Sequence, residues 1–193
     1  MVFFAVIGHQ AKNDGSFSLN DLPSSGGRMD LLCRCVQASL FLSHGIRDDA
    51  SCFLILAGGP GAIKTVRFEG ANVRSLSPDE RSSASFIKKA LEIPAGSLFR
   101  EVTPGVSVRK AGLETLLAEH RFGVLDEAGT DIRNAGEDLP EGFLLSDHQN
   151  FTPEEELLIK DLPRYSLGPQ VLHADHAIVL LYNEIDRRRS GWN

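Results

Sequence analysis

Arg164-Tyr165-Ser166-Leu167-Gly168-Pro169-Gln170-Val171-Leu172-His173-Ala174-Asp175-His176-Ala177-Ile178 runs from strand to helix within fifteen residues. The apolar-polar run over 165–167 reads as a short strand, Gly168-Pro169 as a turn, and a helix is expected from about Leu172. A strand, a backbone-exposing turn and a helix start packed this closely leave free amides and carbonyls that can hold a small molecule. His173, Asp175 and His176 crowd the helix start, more chemistry than a simple connection needs.

The same alternation extends upstream. From Gly105 the patterns predict a strand at 106–109, a helix at 111–120, and strands at 122–125 and 143–146. Thr152-Pro153-Glu154-Glu155 then opens another helix. Strands alternating with helices imply an α/β fold built on a parallel sheet with helices covering it. The connections 126–141 and 147–152 follow strand ends, where open α/β sheets place their ligands. Thr152 and Glu155 have capping-box spacing, so Glu154, Glu155 and Glu156 are a helix-start feature rather than a metal cluster.

In the first half, Met1-Val2-Phe3-Phe4-Ala5-Val6-Ile7-Gly8 reads as a buried first strand. It lacks a basic start and is too short for a signal peptide or a membrane span, so a cytoplasmic protein with no membrane partner is expected. A Gly/Ser-rich stretch, 13–27, leads into a helix expected over 28–44, with Arg28 and Asp30 at its mouth and Gly45 as its stop. Residues 52–57 read as a central strand and 63–68 as its partner. The intervening Gly58-Gly59-Pro60-Gly61 is not a phosphate loop, because no Gly-Lys-Ser/Thr follows. Ser77-Pro78-Asp79-Glu80 reads as a capping box with proline at the first helical position. Lys88 and Lys89 at the end of that helix, near Leu91, are expected to offset its dipole.

With 193 residues, 42% of them hydrophobic, and no compositional break, one domain over 1–193 is expected. Cys33, Cys35 and Cys52 have no zinc spacing and read as buried reduced thiols. The net charge of −6 argues against a generic polyanion binder. The charge is uneven, however: residues 1–100 carry 11 basic and 9 acidic side chains, residues 101–193 carry 9 and 17. A nucleic-acid contact should therefore use local basic groups, Arg74, Arg81, Lys88, Lys89, Arg28 and Arg34, with the 187–193 tail as a further candidate.

Several blocks resemble one family. They are Asp21-Leu22-Pro23, Gly26-Gly27-Arg28-Met29-Asp30-Leu31-Leu32-Cys33-Arg34-Cys35, Phe41-Leu42-Ser43-His44, Ser77-Pro78-Asp79-Glu80-Arg81, Phe86-Ile87-Lys88-Lys89-Ala90-Leu91 and Thr103-Pro104-Gly105-Val106. To these are added Asp147-His148, Ser166-Leu167 with Pro169, Leu172-His173-Ala174 with His176, and Asn183 with Asp186. In this order they are similar to the TrmY family of tRNA pseudouridine N1-methyltransferases, of the SPOUT class. The resemblance implies a parallel sheet with a C-terminal trefoil knot, a homodimer, a tRNA substrate and S-adenosylmethionine as cofactor. By the same resemblance Leu125, Ser146, Leu167, Gly168, Pro169, Gln170, Val171, Leu172 and Ala177 would hold the cofactor. Asp30 would accept or orient the proton leaving the base, and Arg28 would hold phosphate or the uracil carbonyls. Ser146 and Ala177 depart from the archaeal pattern of glycine and cysteine, which suggests a bacterial TrmY-like member with its target position open.

No metal is expected. Two other readings stand beside this one: a metal-dependent hydrolase using His148, His173 and His176, and a non-catalytic RNA-binding module on the same fold.

Overall fold

The computed structural model describes residues 1–192; Asn193, the end of the basic tail, lies outside the described residues. Strand β1 (Val2–Gly8) is buried at every position. Val2, Phe4 and Val6 enter one core, and Phe3, Ala5 and Ile7 enter the other. That division is the two-residue period of a strand buried on both faces.

In chain order there follow α1 (Met29–Leu40), the short pair β2 (Phe41–Leu42) and β3 (Gly45–Ile46), β4 (Ala50–Leu56), β5 (Lys64–Glu69), α2 (Glu80–Glu92), β6 (Arg100–Thr103) and β7 (Val106–Arg109). The second half adds α3 (Leu113–Glu119), β8 (Phe122–Asp131), β9 (Gly142–Ser146), α4 (Pro153–Ile159), β10 (Arg164–Ser166) and α5 (Ala174–Ser190). The eight-stranded sheet has the order β10-β8-β9-β1-β4-β5-β7-β6.

The pairings from β10 to β4 are parallel, whereas those from β4 to β6 are antiparallel. The expected parallel sheet is thus correct for one side and wrong for the other. Connection length explains two of the antiparallel pairs: β4 reaches β5 through residues 57–63 and β6 reaches β7 through 104–105, both too short for the crossover a parallel pair needs.

Helices α1, α2 and α5 cover the face holding Phe4 and Phe143. Helices α3 and α4 contribute Leu113, Leu116 and Ile159 to the opposite core. Helix α1 packs on β1 and β4 and against both α2 and α5. Enclosure on so many sides buries both Cys33 and Cys35, although they cannot share one helical face. Burial raises the pKa of all three thiols, which keeps them protonated.

Several boundaries differ from expectation. Helix α1 ends at Leu40, not near His44, because Phe41 turns to extended backbone and Phe41–Leu42 pairs with Gly45–Ile46. The cap of α2 is Asp79, whose carboxylate accepts from the Ser82 amide at 2.7 Å, so Pro78 precedes the helix instead of beginning it. Lys88 Nζ donates to the carbonyls of Gly15 and Phe17, both at 2.7 Å, so its charge ties down the 13–27 loop. Strand β8 runs on to Asp131, past Leu125, because β10 pairs with its far end across a shift in register. Helix α5 begins at Ala174, slightly later than expected, with His173 as its cap residue.

At the mouth of α1, Gly27 and Arg28 both have φ 64°, in the left-handed region. A Cβ at Gly27 would stand 1.8 Å from the Gln10 carbonyl oxygen, so this approach requires glycine. Arg28 has no such excuse, and a non-glycine residue held there marks a position whose surroundings impose its conformation.

Candidate functional site

The middle of β8, the end of β9, and β10 with the loop that follows it line a cavity of about 480 Å³, at the edge where ligands of open α/β sheets bind. All the cofactor positions implied by resemblance line it except Pro169: Leu125 from β8, Ser146 from β9, Leu167, Gly168, Gln170, Val171 and Leu172 from the loop after β10, and Ala177 from α5. These residues span more than fifty positions of sequence, and the sheet register brings them together. The turn at Gly168 has φ 151°, and Ser166 Oγ donates to the Gly168 carbonyl at 2.9 Å.

Charge in this cavity escaped the sequence reading. Asp126, Glu127, Asp147 and Glu156 all reach its lining, as does Arg164. Arg164 donates to Asp126 Oδ2 at 2.6 Å and to Glu156 Oε2 at 2.5 Å, tying the middle of β8 to α4 from the start of β10. The acidic excess of residues 101–193 was visible in sequence, but nothing there showed that it gathers around one arginine.

Arg28 and Asp30 do not line the cavity. They form a bidentate pair, Arg28 Nε to Asp30 Oδ1 and Nη2 to Oδ2, each at 3.0 Å. Arg34 adds a bond to the same carboxylate at 3.2 Å and reaches Glu80 at 3.1 Å and Asp175 at 3.4 Å, joining α1, α2 and α5. The Asp30 side chain is only 8% exposed. Burial alone would raise its pKa, but the bonds and charges of Arg28 and Arg34 outweigh that and hold the carboxyl below the usual carboxylate range. Asp30 is therefore ionised and a weak proton acceptor, better suited to orienting Arg28 than to taking a proton.

The mouth of α1 and the cavity share one wall. Asp147 lines the cavity and also a small cleft against Leu31, Leu32, Cys35 and Asp175. Its carboxylate accepts from the His9 amide at 3.0 Å and meets His9 Nδ1 at 2.9 Å, while His9 Nε2 lies 2.9 Å from Glu155 Oε2. His9 was absent from the sequence reading; a lone histidine after a strand gives no local signal.

The other basic groups proposed for nucleic acid are partly committed to the fold. Arg81 donates to Asn20 Oδ1 at 2.5 Å and Arg74 to the Val73 carbonyl at 2.9 Å. Arg28 keeps about a third of its side chain exposed beside Asp30. The histidines of the hydrolase reading do not converge: His173 and His176 meet edge to face with ring centroids 5.8 Å apart, and His148 turns to Asp147 at 3.4 Å. Among the described residues, no three His, Cys, Asp or Glu side chains converge as a metal site.

On α5, Ile178, Leu181, Tyr182 and Ile185 are buried in the chain's own core. Val179 and Leu180 stay exposed on the opposite side, and Val171 is exposed in the loop before α5. None of the helices among the described residues is long and apolar enough to cross a membrane.

Residues 1–190 match a family model described as "Putative SAM-dependent RNA methyltransferase". The chain is 60% identical over its whole length, and the whole length of the relative, to a tRNA (pseudouridine(54)-N(1))-methyltransferase of Methanospirillum hungatei. It is 58% identical to the protein of that name from Methanocorpusculum labreanum, covering 97% of this chain and 98% of the relative. For that of Haloferax volcanii the identity is 43%, with 95% of each chain covered. These relatives are archaeal, so the departures at Ser146 and Ala177 do not mark a bacterial branch. Archaeoglobus fulgidus Nep1, solved bound to S-adenosylhomocysteine, superposes with a TM-score of 0.69 at 12% identity, covering 98% of this chain and 99% of that one; it shares the fold. By the match across residues 1–190 and identity of this extent, the chain belongs to the TrmY family of SAM-dependent RNA methyltransferases.

Proposed function

We propose that this chain transfers a methyl group from S-adenosylmethionine to N1 of pseudouridine in tRNA, at position 54 as the names of its relatives state. The observation that carries the proposal is the gathering of the cofactor positions, separated in sequence, around one cavity. The residues present fit the group. A volume of about 480 Å³ suits a small-molecule cofactor, Leu125, Leu145, Leu167 and Leu172 offer apolar walls for a purine, and the carboxylates around Arg164 suit a cationic ligand. Bound there, S-adenosylmethionine would supply a methyl group already activated by its sulfonium.

The protein's own contribution is alignment and exclusion of water. Arg28 would hold a phosphate or the base carbonyls, for which a planar fork of donors is suited. Asp30, bonded to both arms of that fork, would fix its orientation. Nucleoside mass spectrometry of tRNA from a deletion strain and its parent tests the assignment. One methylated pseudouridine should vanish in the deletion strain and return when purified protein and cofactor are added to its tRNA; identical nucleoside profiles would refute the proposal.

The same reading takes residues 1–193 as one SPOUT domain in a cytoplasmic protein. The return of α5 to pack against α1 after the edge strand β10 is consistent with a C-terminal trefoil knot. A homodimer would cover Val179, Leu180 and Val171, the apolar side chains that the fold leaves open around α5. Sedimentation at micromolar concentration should give twice the 21.1 kDa chain mass. Val179→Glu together with Leu180→Glu should return the protein to monomer, whereas wild-type protein sedimenting as a monomer would rule out the interface.

A further inference from the structure

We propose that His9 is a positioning residue: as an imidazolium bonded at both nitrogens, it clamps the 146–155 loop into the shape that forms one wall of the cofactor cavity. It follows β1 directly, at the centre of the sheet. From there its ring spans two carboxylates, Asp147 at the end of β9 and Glu155 in the first turn of α4, with Nδ1 and Nε2 each 2.9 Å from an oxygen. Ionised carboxylates only accept hydrogen bonds, so both ring nitrogens must carry protons for both bonds to form. The ring is thus cationic by geometry.

Between the two anchors lie Gln149, Asn150 and Phe151, which line the cavity with Ser146 and Asp147. The loop is tied to the same carboxylates: the Gln149 amide donates to Asp147 Oδ1 at 3.0 Å and the Thr152 amide to Glu155 Oε2 at 2.8 Å. Ser146 Oγ donates to the Gln149 carbonyl. One proton on His9 therefore connects the central strand, both ends of the loop and the cap of α4.

The charged groups around the clamp are few. Asp147 and Glu155 face the ring directly, His148 approaches the far oxygen of Asp147 at 3.4 Å, and Arg28 at the mouth of α1 feels the charge of Asp147. The bond to Asp147 is the largest influence on His9; burial opposes it, and the bond and charge of Glu155 add to it, so the pKa rises from the ordinary 6.5 to about 9. Since folding raises this pKa, the clamp's contribution to stability is complete below about 6.5 and is lost as pH rises through 9.

The inference rests on the proposed cofactor site, and two separate readouts distinguish them. Wild-type protein titrated with S-adenosylhomocysteine by calorimetry between pH 7 and 10 should lose affinity with a midpoint near 9, in step with the His9 ring signal followed by NMR. His9→Gln, whose two donors share one nitrogen and so cannot span both carboxylates, should bind about tenfold more weakly at pH 7 and show no such midpoint. Glu155→Gln keeps a capping-box residue but removes a charge, so it should move the His9 midpoint and the affinity profile down together. A folded His9→Gln protein with wild-type affinity and pH profile overturns the clamp, as does a Glu155→Gln profile that ignores the shifted midpoint. If wild-type protein does not bind the thioether, the cofactor proposal fails instead. The clamp is then judged by amide exchange at Gln149 and Thr152: faster exchange in both variants supports it, and unchanged exchange overturns it.

Discussion

Replacing Asp30 with Asn should lower single-turnover methyl transfer by on the order of 10²-fold while leaving cofactor affinity within about threefold, because a misplaced substrate-holding group costs rate more than binding. Asp30 accepts both arms of the Arg28 fork and a third bond from Arg34, and neither Asp30 nor Arg28 lines the cavity proposed for the cofactor. A carboxyl held below its usual range by two guanidinium groups is a poor general base, so its value lies in fixing Arg28. Losses from Asp30→Asn and Arg28→Ala should therefore overlap rather than add, and a double-mutant cycle on transfer rate measures the coupling. Arg28→Ala alone should also weaken tRNA binding and lower the slope of log affinity against log salt by about one, as loss of one phosphate contact requires. Full single-turnover rate in Asp30→Asn would reduce Asp30 to a carboxylate that stabilises a helix start. Strict additivity in the cycle would return it to an independent role as proton acceptor.

Gly168→Val is expected to weaken S-adenosylmethionine binding by about ten- to a hundredfold with little change in melting temperature. A Cβ at this position would meet nothing within 4 Å, so a clash with the rest of the protein is not the cause. The cause is the backbone: φ 151° is rarely adopted by L side chains, and a β-branched residue there should force the turn into another conformation, at a cost of roughly 1–3 kcal/mol. Moving the turn displaces Leu167, Gln170 and Val171, which line the cavity, while the core under β10 is untouched. Tenfold in affinity corresponds to about 1.4 kcal/mol, so the strain suffices if binding must restore the original turn. Calorimetry on the folded variant checks this. Undiminished affinity would remove the 167–172 loop from the cofactor site.

The signals for the candidate site in the sequence were local ones. A capping box at Thr152 needs only four residues, and the structure contains both of its reciprocal bonds. A Gly-Pro turn between a strand and a helix is likewise legible where it stands, and its loop lines the cavity. Ser77, by contrast, had the right spacing for a cap and lost to Asp79, because competing caps a few residues apart are decided by the chain's approach to the helix. The exposed or buried fate of α5's apolar residues was also undecided in sequence. The helix is apolar on more than one side, and only its packing on α1 shows that Ile178 and Leu181 face inward while Val179 and Leu180 face out.

By itself, then, the sequence determined the α/β class, the central buried strand, the loops after the last strands and the family, because each rests on short-range periodicity or on residues read in order. The tertiary structure decided the rest. Three of the seven strand pairings are antiparallel, two of them across connections too short for a parallel crossover. The meeting of β1, β9 and α4 set His9, half-buried, between Asp147 and Glu155, partners 138 and 146 residues away. Paired charges of this kind depend on distances of about 3 Å between groups far apart along the chain, and no local pattern of residues encodes such distances.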